Sequence, residues 1–386
     1  MTLSEAPRSA PAPDGKRGRA AVSGRWLVAV GVSAVVVLTS PFVADARDAL
    51  RRASGSHYGM VINGIVLGAV ALAAATALGR IRYRRILRYG ALVAAIGAGA
   101  AYVWATALPG VERFHFVEYG LLTFLFYRAM VPGPERAAQA TGDVSLVVVP
   151  TLAALMVGTA DEWVQWFVPR RYGEVRDIFL NLAAIGCGLL FSFGAEPPPA
   201  WRLRPTPGSV ARMARLAASA VLGLGVFLYS VHLGHWIVEG EIGAFRSRHT
   251  AAQLRDLAAD RAVRWGSGGP PDVRAFARED QYLTEGIWHV QRRNEAWANR
   301  EIDTAWRENL ILERYFAPVL RAGHAWPAAQ RAGAAGREQL SEPGTGFVSR
   351  AERYPILTWP GSVFITVVFA SVFALLAISF TSSRWC

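Results

Sequence analysis

Long apolar runs separated by short polar stretches fill most of the chain. They fall near 26–44, 58–79, 89–108, 114–130, 143–162, 177–194, 213–238 and 361–380. Crossing a hydrocarbon core takes about 20 residues of helix, so this pattern predicts eight membrane spans. The run 114–130 is the least apolar, because it holds His115 and Glu118. Between 240 and 358 the pattern changes. Apolar residues recur at helical spacing, as in Ile302, Trp306 and Leu310, Ile311 and Tyr315, or Leu312 and Phe316. Two helices are expected there, over 273–298 and 302–321, with a turn at Asn299-Arg300 and a small core built on Trp265, Trp288, Trp297, Trp306 and Trp326. The Gly/Ala/Pro/Ser tract 322–346 reads as linker. The fold class is all-α: a polytopic transmembrane helical bundle with an extracytoplasmic helical domain before its last span.

Composition agrees. Of 386 residues, 52% are hydrophobic, which points to the membrane class. The net charge of +12 comes almost wholly from arginine, Lys16 being the single lysine. These arginines lie between apolar runs rather than in one aromatic-basic patch, so membrane topology accounts for them better than nucleic acid does. Alternate loops hold 17 and 7 basic residues, and the arginine-rich set belongs in the cytoplasm. Both termini are then cytoplasmic in a plasma or bacterial inner membrane. The expected organisation is a disordered tail over 1–24, N-terminal spans over 25–110, a transmembrane core over 111–195, a cytoplasmic loop and seventh span over 196–239, the extracytoplasmic domain over 240–358 and a final span over 359–386. Two cysteines, Cys187 and Cys386, make no disulfide framework.

This topology brings the polar residues of three spans to one depth. His115 and Glu118 share a face of the fourth, and Asp161, Glu162 and Gln165 close the fifth. Asp177 and Asn181, one helical turn apart, open the sixth, and Arg170 and Arg171 lie on the turn between. Ionisable groups near hydrocarbon normally face a bundle interior and pair there. The pattern HF-x-EY at 115–119, DE-xx-Q-x-F-x-P-x-R at 161–171 and D-xxx-N at 177–181 resembles the VanZ-like family of small multi-spanning membrane proteins, over about residues 90–195. The founding member of that family is associated with teicoplanin resistance. Carried over by position, the resemblance marks His115, Glu118, Asp161, Glu162, Gln165, Arg171, Asp177 and Asn181. The chain departs from the family at Arg170 and Ala184, where glycine is usual.

Assigned roles are His115, Glu118, Asp161 and Glu162 as proton-handling or catalytic groups, and Gln165, Arg171, Asp177 and Asn181 as ligand-binding groups. His115 beside Glu118 suits general acid-base work. No serine or cysteine nucleophile lies in the motif, and one histidine with carboxylates is too weak a set to assign a metal. The sequence names no cofactor. The plainer alternative is that these residues fix the turn and glue helices together. The partners expected are membrane lipids and an envelope glycolipid or peptidoglycan-related group, with no nucleic acid. A transporter or lipid flippase is the rival class, and a non-catalytic scaffold the third. Elsewhere, His232, His235 and Glu239 would share one face of a helix and are zinc-type ligands. The commoner reading of that segment is an interfacial belt around Trp236. Glu285 and His289 are read as supports of the outer domain's helix.

Overall fold

The computed structural model describes residues 15–131, 142–168, 171, 173–198, 200–202, 204–266, 280–335 and 346–384. The first helices are α1 (Gly15–Thr39), α2 (Val43–Ser54), α3 (Tyr58–Arg80), α4 (Arg85–Ala105) and α5 (Phe114–Met130). Helices α6 (Ser145–Phe167), α7 (Val175–Ala195) and α8 (Pro207–Phe227) follow, and α8 runs into a π turn over Leu228–His232. Six helical stretches among these and the last helix, α13 (Gly361–Ser383), are long and apolar enough to cross a membrane. The first of the six, Gly24–Arg80, contains most of α1 and all of α2 and α3. Helix α1 already begins inside the segment expected to be a tail, while residues 1–14 lie outside the described set.

The bundle is built around α5. This helix packs on α7, α6 and α1, and it buries Tyr119, Leu122, Thr123, Phe126, Tyr127 and Ala129. Enclosure explains how a helix of 17 residues bearing His115 and Glu118 is tolerated: protein, rather than lipid, surrounds its polar groups. Gly188 sets the α5–α7 distance. A Cβ on Gly188 would stand 2.9 Å from the Cα of Gly120, so the backbones meet directly. At the end of the bundle away from His115, the buried Arg88 donates from Nε to the Gly194 carbonyl (2.8 Å) and from Nη2 to that of Ala195 (2.5 Å), satisfying the C-terminus of α7. Helix α13 lies along α8, where Val368 fills the space over Gly225 and Ser379 donates to the Ala211 carbonyl. Leu27, Leu72, Ile86, Val93, Trp104 and Phe373 stand exposed around the outside. An apolar shell of this kind suits a lipid solvent and would be a liability in water.

The described residues between 233 and 358 form a separate unit with its own core around Phe245, Leu254, Ile311 and Phe316. The all-helical expectation fails here in one respect: the predicted span 213–238 stops at His232, and the chain forms a hairpin of β1 (His235–Glu239) and β2 (Gly243–Ser247) in antiparallel register, Ile237 opposite Phe245. Gly234 permits the turn-off, since a Cβ there would sit 2.3 Å from the Ser247 carbonyl oxygen. The β-forming Trp-Ile-Val run then gains a partner strand, and this pairing overrides continuation of the helix. After the hairpin come α9 (Ala251–Arg264), with a capping box at Thr250 and Gln253, α10 (Asp280–Ala298), α11 (Ile302–Tyr315) and α12 (Ala328–Ala335). The turn expected at Asn299-Arg300 is present, with Arg300 in the left-handed region (φ 63°). Helix α12 occupies part of the segment read as linker, and residues 336–345 of that segment lie outside the described set. Its Ala334 is buried against Trp326, near Trp297 and Trp306.

Candidate functional site

Three helix ends meet on the side of the bundle that carries the 233–358 unit. Helix α5 contributes His115, Glu118 and Tyr119 from its first two turns, α6 contributes Asp161, Glu162 and Gln165 from its last two, and α7 contributes Asp177 and Asn181 from its first two. Glu162 and Asn181 are wholly buried, and Asp161 and Gln165 nearly so. Buried polar groups of this density must satisfy one another, and most do. His115 Nδ1 lies 2.8 Å from Asn181 Oδ1. Tyr119 donates its hydroxyl to Asp161 Oδ2 (3.2 Å), and Gln165 Nε2 donates to the same oxygen (2.9 Å) and to Glu162 Oε1 (3.3 Å). The other Glu162 oxygen accepts from the Glu174 backbone N–H (3.2 Å), just ahead of α7. The carboxamide of Gln165 thus separates two adjacent carboxylates by binding both.

With Asn181 Oδ1 as acceptor, the proton of a neutral His115 resides on Nδ1, and Nε2 keeps its lone pair. The ring is held further by Tyr119, stacked on it with centroids 5.7 Å apart and planes 9° from parallel. The Arg171 guanidinium is within electrostatic reach of Glu118, Asp161 and Glu162, although it forms no ion pair among the described residues. Arg170 lies outside the described set. Glu118 is half-buried and makes no hydrogen bond among the described residues. Asp177 stands at the rim rather than in the network: its Oδ1 is 3.6 Å from Arg176 Nε, and Arg176 also binds Glu112 Oε1 at 3.0 Å. Glu174 completes this rim. Burial, followed by the nearby Asp177, pushes its carboxyl up to about 7.

The eight residues marked from the sequence therefore share one end of the bundle, but only five make side-chain hydrogen bonds to one another, in two groups: His115 with Asn181, and Gln165 with Asp161 and Glu162. Tyr119 was missing from that set, although its i+4 spacing from His115 was the available signal. Two glycines were missing as well. A Cβ on Gly158 would stand 2.8 Å from Asn181 Nδ2 and 3.1 Å from a Tyr119 ring carbon, so only glycine lets both side chains reach α6. A Cβ on Gly173 would overlap the Glu162 carbonyl oxygen at 2.0 Å, so the α6–α7 turn needs glycine to fold back over the site. Below the network, Leu122, Phe126, Ala154, Ala184 and Ile185 close into an apolar cluster.

The second candidate cluster does not assemble. His232, His235 and Glu239 are not on a common helix. His232 is buried and accepts the Val175 backbone N–H on Nε2 (3.0 Å) while its Nδ1 pairs with the Pro355 carbonyl (2.8 Å); it caps α7. His235 is exposed on β1, and Glu239 is engaged by Arg255, Arg314 and the Tyr315 hydroxyl. Among the described residues no three His, Cys, Asp or Glu side chains converge as metal ligands would. Glu285 and His289 are tied into the 233–358 unit: Glu285 accepts from Ser247, Gln281 and the Arg248 backbone, and His289 pairs with the buried Glu308 at 2.6 Å.

No family model, no curated protein and no solved structure matches the chain.

Proposed function

We propose that this is a multi-pass protein of the cell envelope, VanZ-like in its 111–195 core, that recognises the polar part of an envelope lipid or a peptidoglycan-related group from the extracytoplasmic side. One observation carries the reading. Three helices gather five hydrogen-bonded polar side chains at one end of the bundle, His115 with Asn181 and Asp161 with Gln165 and Glu162, and these residues are among those the resemblance marks. A fold needing only glue between helices would not concentrate Asp161, Glu162 and Glu118 with one arginine at a single level. Arg171 suits an anionic moiety of the ligand, the three carboxylates suit amines or hydroxyls, and Nε2 of His115 is the group placed to accept a proton. The arginine bias puts this end outside and both termini in the cytoplasm of a plasma or inner membrane, with α5 counted among eight spans.

The rival class, a transporter or lipid flippase, needs polar groups along a through-path. The apolar cluster of Leu122, Phe126, Ala154, Ala184 and Ile185 interrupts any such path beneath the network, which favours a site with a single opening. The test is native mass spectrometry of detergent-purified protein, comparing wild type with Glu162→Gln and His115→Gln. Loss of a co-purifying envelope lipid or glycolipid from both variants is the expected result. Equal retention of every bound species by properly folded variants, with function abolished only by deletion of 240–350, would refute the site in favour of a scaffold carried by the outer unit.

A further inference from the structure

Among the described residues the outward face of the β1–β2 hairpin has no protein partner, and its position in the fold says what covers it. Leu233 pairs in parallel with Leu357; the Gly234 N–H donates to the Leu357 carbonyl (2.8 Å) and the Leu357 N–H to the His232 carbonyl (2.7 Å). Leu357 is four residues ahead of Gly361, where α13 begins. The chain entering β1 at Leu233 therefore runs beside, and in the same sense as, the chain that leads into a membrane-length helix. Side chains alternate across a strand. Ile237 and Phe245 point into the unit's core, so Trp236, Val238, Ala244 and Arg246 share the other face, and Val348 joins them by pairing with Ala244.

Around the buried Ala244 that face is open, and its exposed residues are mostly apolar. Val238 is 69% exposed, Trp236 45% and Val348 41%, and Trp359, two residues before α13, is 56% exposed. Arg246 lies over the Trp236 ring, 5.5 Å from its centroid, and is held by Glu352 at 2.8 Å. Arg350 and Arg353, in the chain between Val348 and Trp359, are also exposed. Indoles with an apolar body and one N–H donor, flanked by guanidinium groups, match the chemistry of the headgroup–acyl boundary, where the ring is dehydrated and phosphates accept from arginine. Where the unit joins the bundle, Tyr229 in the π turn after α8 meets Phe364 of α13, their ring centroids 6.3 Å apart.

We infer that this hairpin face docks into the interfacial layer of the same bilayer that holds the bundle, with lipid headgroups as its partner. The docking would also fix the level of the 233–358 unit over the candidate site, because Arg248 at the end of β2 binds the carbonyls of Ser230, Val231 and Leu233 and stacks over Trp166 of α6, 5.6 Å from the ring centroid.

The experiment uses the full chain with Cys187→Ala and Cys386→Ala, in nanodiscs of phosphatidylethanolamine and phosphatidylglycerol. A nitroxide is attached at Val238→Cys or Val348→Cys, with Phe373→Cys as the lipid-facing reference and Val263→Cys, exposed on α9, as the outer-unit reference. Collisional relaxation by oxygen and by a water-soluble nickel complex then reads depth. Labels at 238 and 348 are expected to show oxygen-to-nickel ratios shifted from that at 263 towards that at 373. Ratios equal to that at 263 would overturn the inference. Protection from both relaxants would overturn it too, because it would mean that protein, such as a second copy of the chain, covers the face.

Discussion

Replacing Gly188 by alanine tests how the candidate site is held together. The added Cβ would meet Gly120 Cα, Gly120 O and Thr123 Cβ, each at 2.9 Å. Carbon atoms pack best at about 3.5–4.0 Å, so α5 and α7 must separate by roughly 0.6–1.1 Å, against backbone that cannot rotate out of the way. Overpacking of this kind costs about 1–3 kcal/mol, or roughly a 5- to 150-fold change in the unfolding equilibrium. Alanine at Gly120 is the control on the facing helix. Its Cβ would meet nothing within 4 Å, and it adds helix propensity. Steric trapping in bicelles, which reads unfolding free energy without denaturant, should show Gly188→Ala destabilised and Gly120→Ala unchanged or slightly stabilised. The separation should also stretch the 2.8 Å contact between His115 and Asn181, which bridges the same two helices. Equal stability of the two variants would refute the direct backbone contact and, with it, the account of how α5 is seated.

Three further outcomes are expected. Glu174 has its carboxyl raised from 4.5 to about 7 by burial, so its contribution to stability is fully present below pH 4.5 and lost as the pH rises through 7; relative to Glu174→Gln, wild-type unfolding free energy should fall across that window. Arg88→Ala removes both donors from the Gly194 and Ala195 carbonyls and should lower stability by about 1.5–3 kcal/mol by steric trapping, with Arg88→Lys recovering only part of it. Glu308→Ala would strand the buried His289 and Ser349, which bond its two oxygens at 2.6 Å each; a loss of about 3–5 kcal/mol should make the 233–358 unit protease-sensitive in intact protein while α5–α7 stay protected.

Much of this was legible in the chain because membrane helices announce themselves locally. An apolar run plus flanking arginines needs no knowledge of its neighbours, and the helical spacing of Asp161, Glu162 and Gln165 or of Asp177 and Asn181 puts them on common faces wherever the helices lie. The parts that stayed hidden depend on partners remote in sequence. His232 looks like a metal ligand beside His235, yet its Nε2 caps a backbone N–H 57 residues away. The strand 235–239 exists because 243–247 and Leu357 pair with and around it, and no periodicity in HWIVE announces that. Gly158 and Gly173 are two of 37 glycines, and only the approach of Asn181 and the Glu162 carbonyl marks them out. Asp177 shares a face with Asn181 as its spacing requires, but at the first turn of α7 it meets Arg176 before it can join the network.

The enclosure of α5 also bears on how the chain is made. A segment of 17 residues carrying a histidine and a glutamate is a poor substrate for insertion on its own, since its polar groups would first meet lipid. The helices that shelter it on two sides, α6 and α7, are synthesised afterwards. With α5 as one of the proposed spans, a ribosome-bound nascent chain that ends before Ala195 should leave it reversibly inserted, and threading of this region would become permanent only when the later pair of helices leaves the translocon beside it.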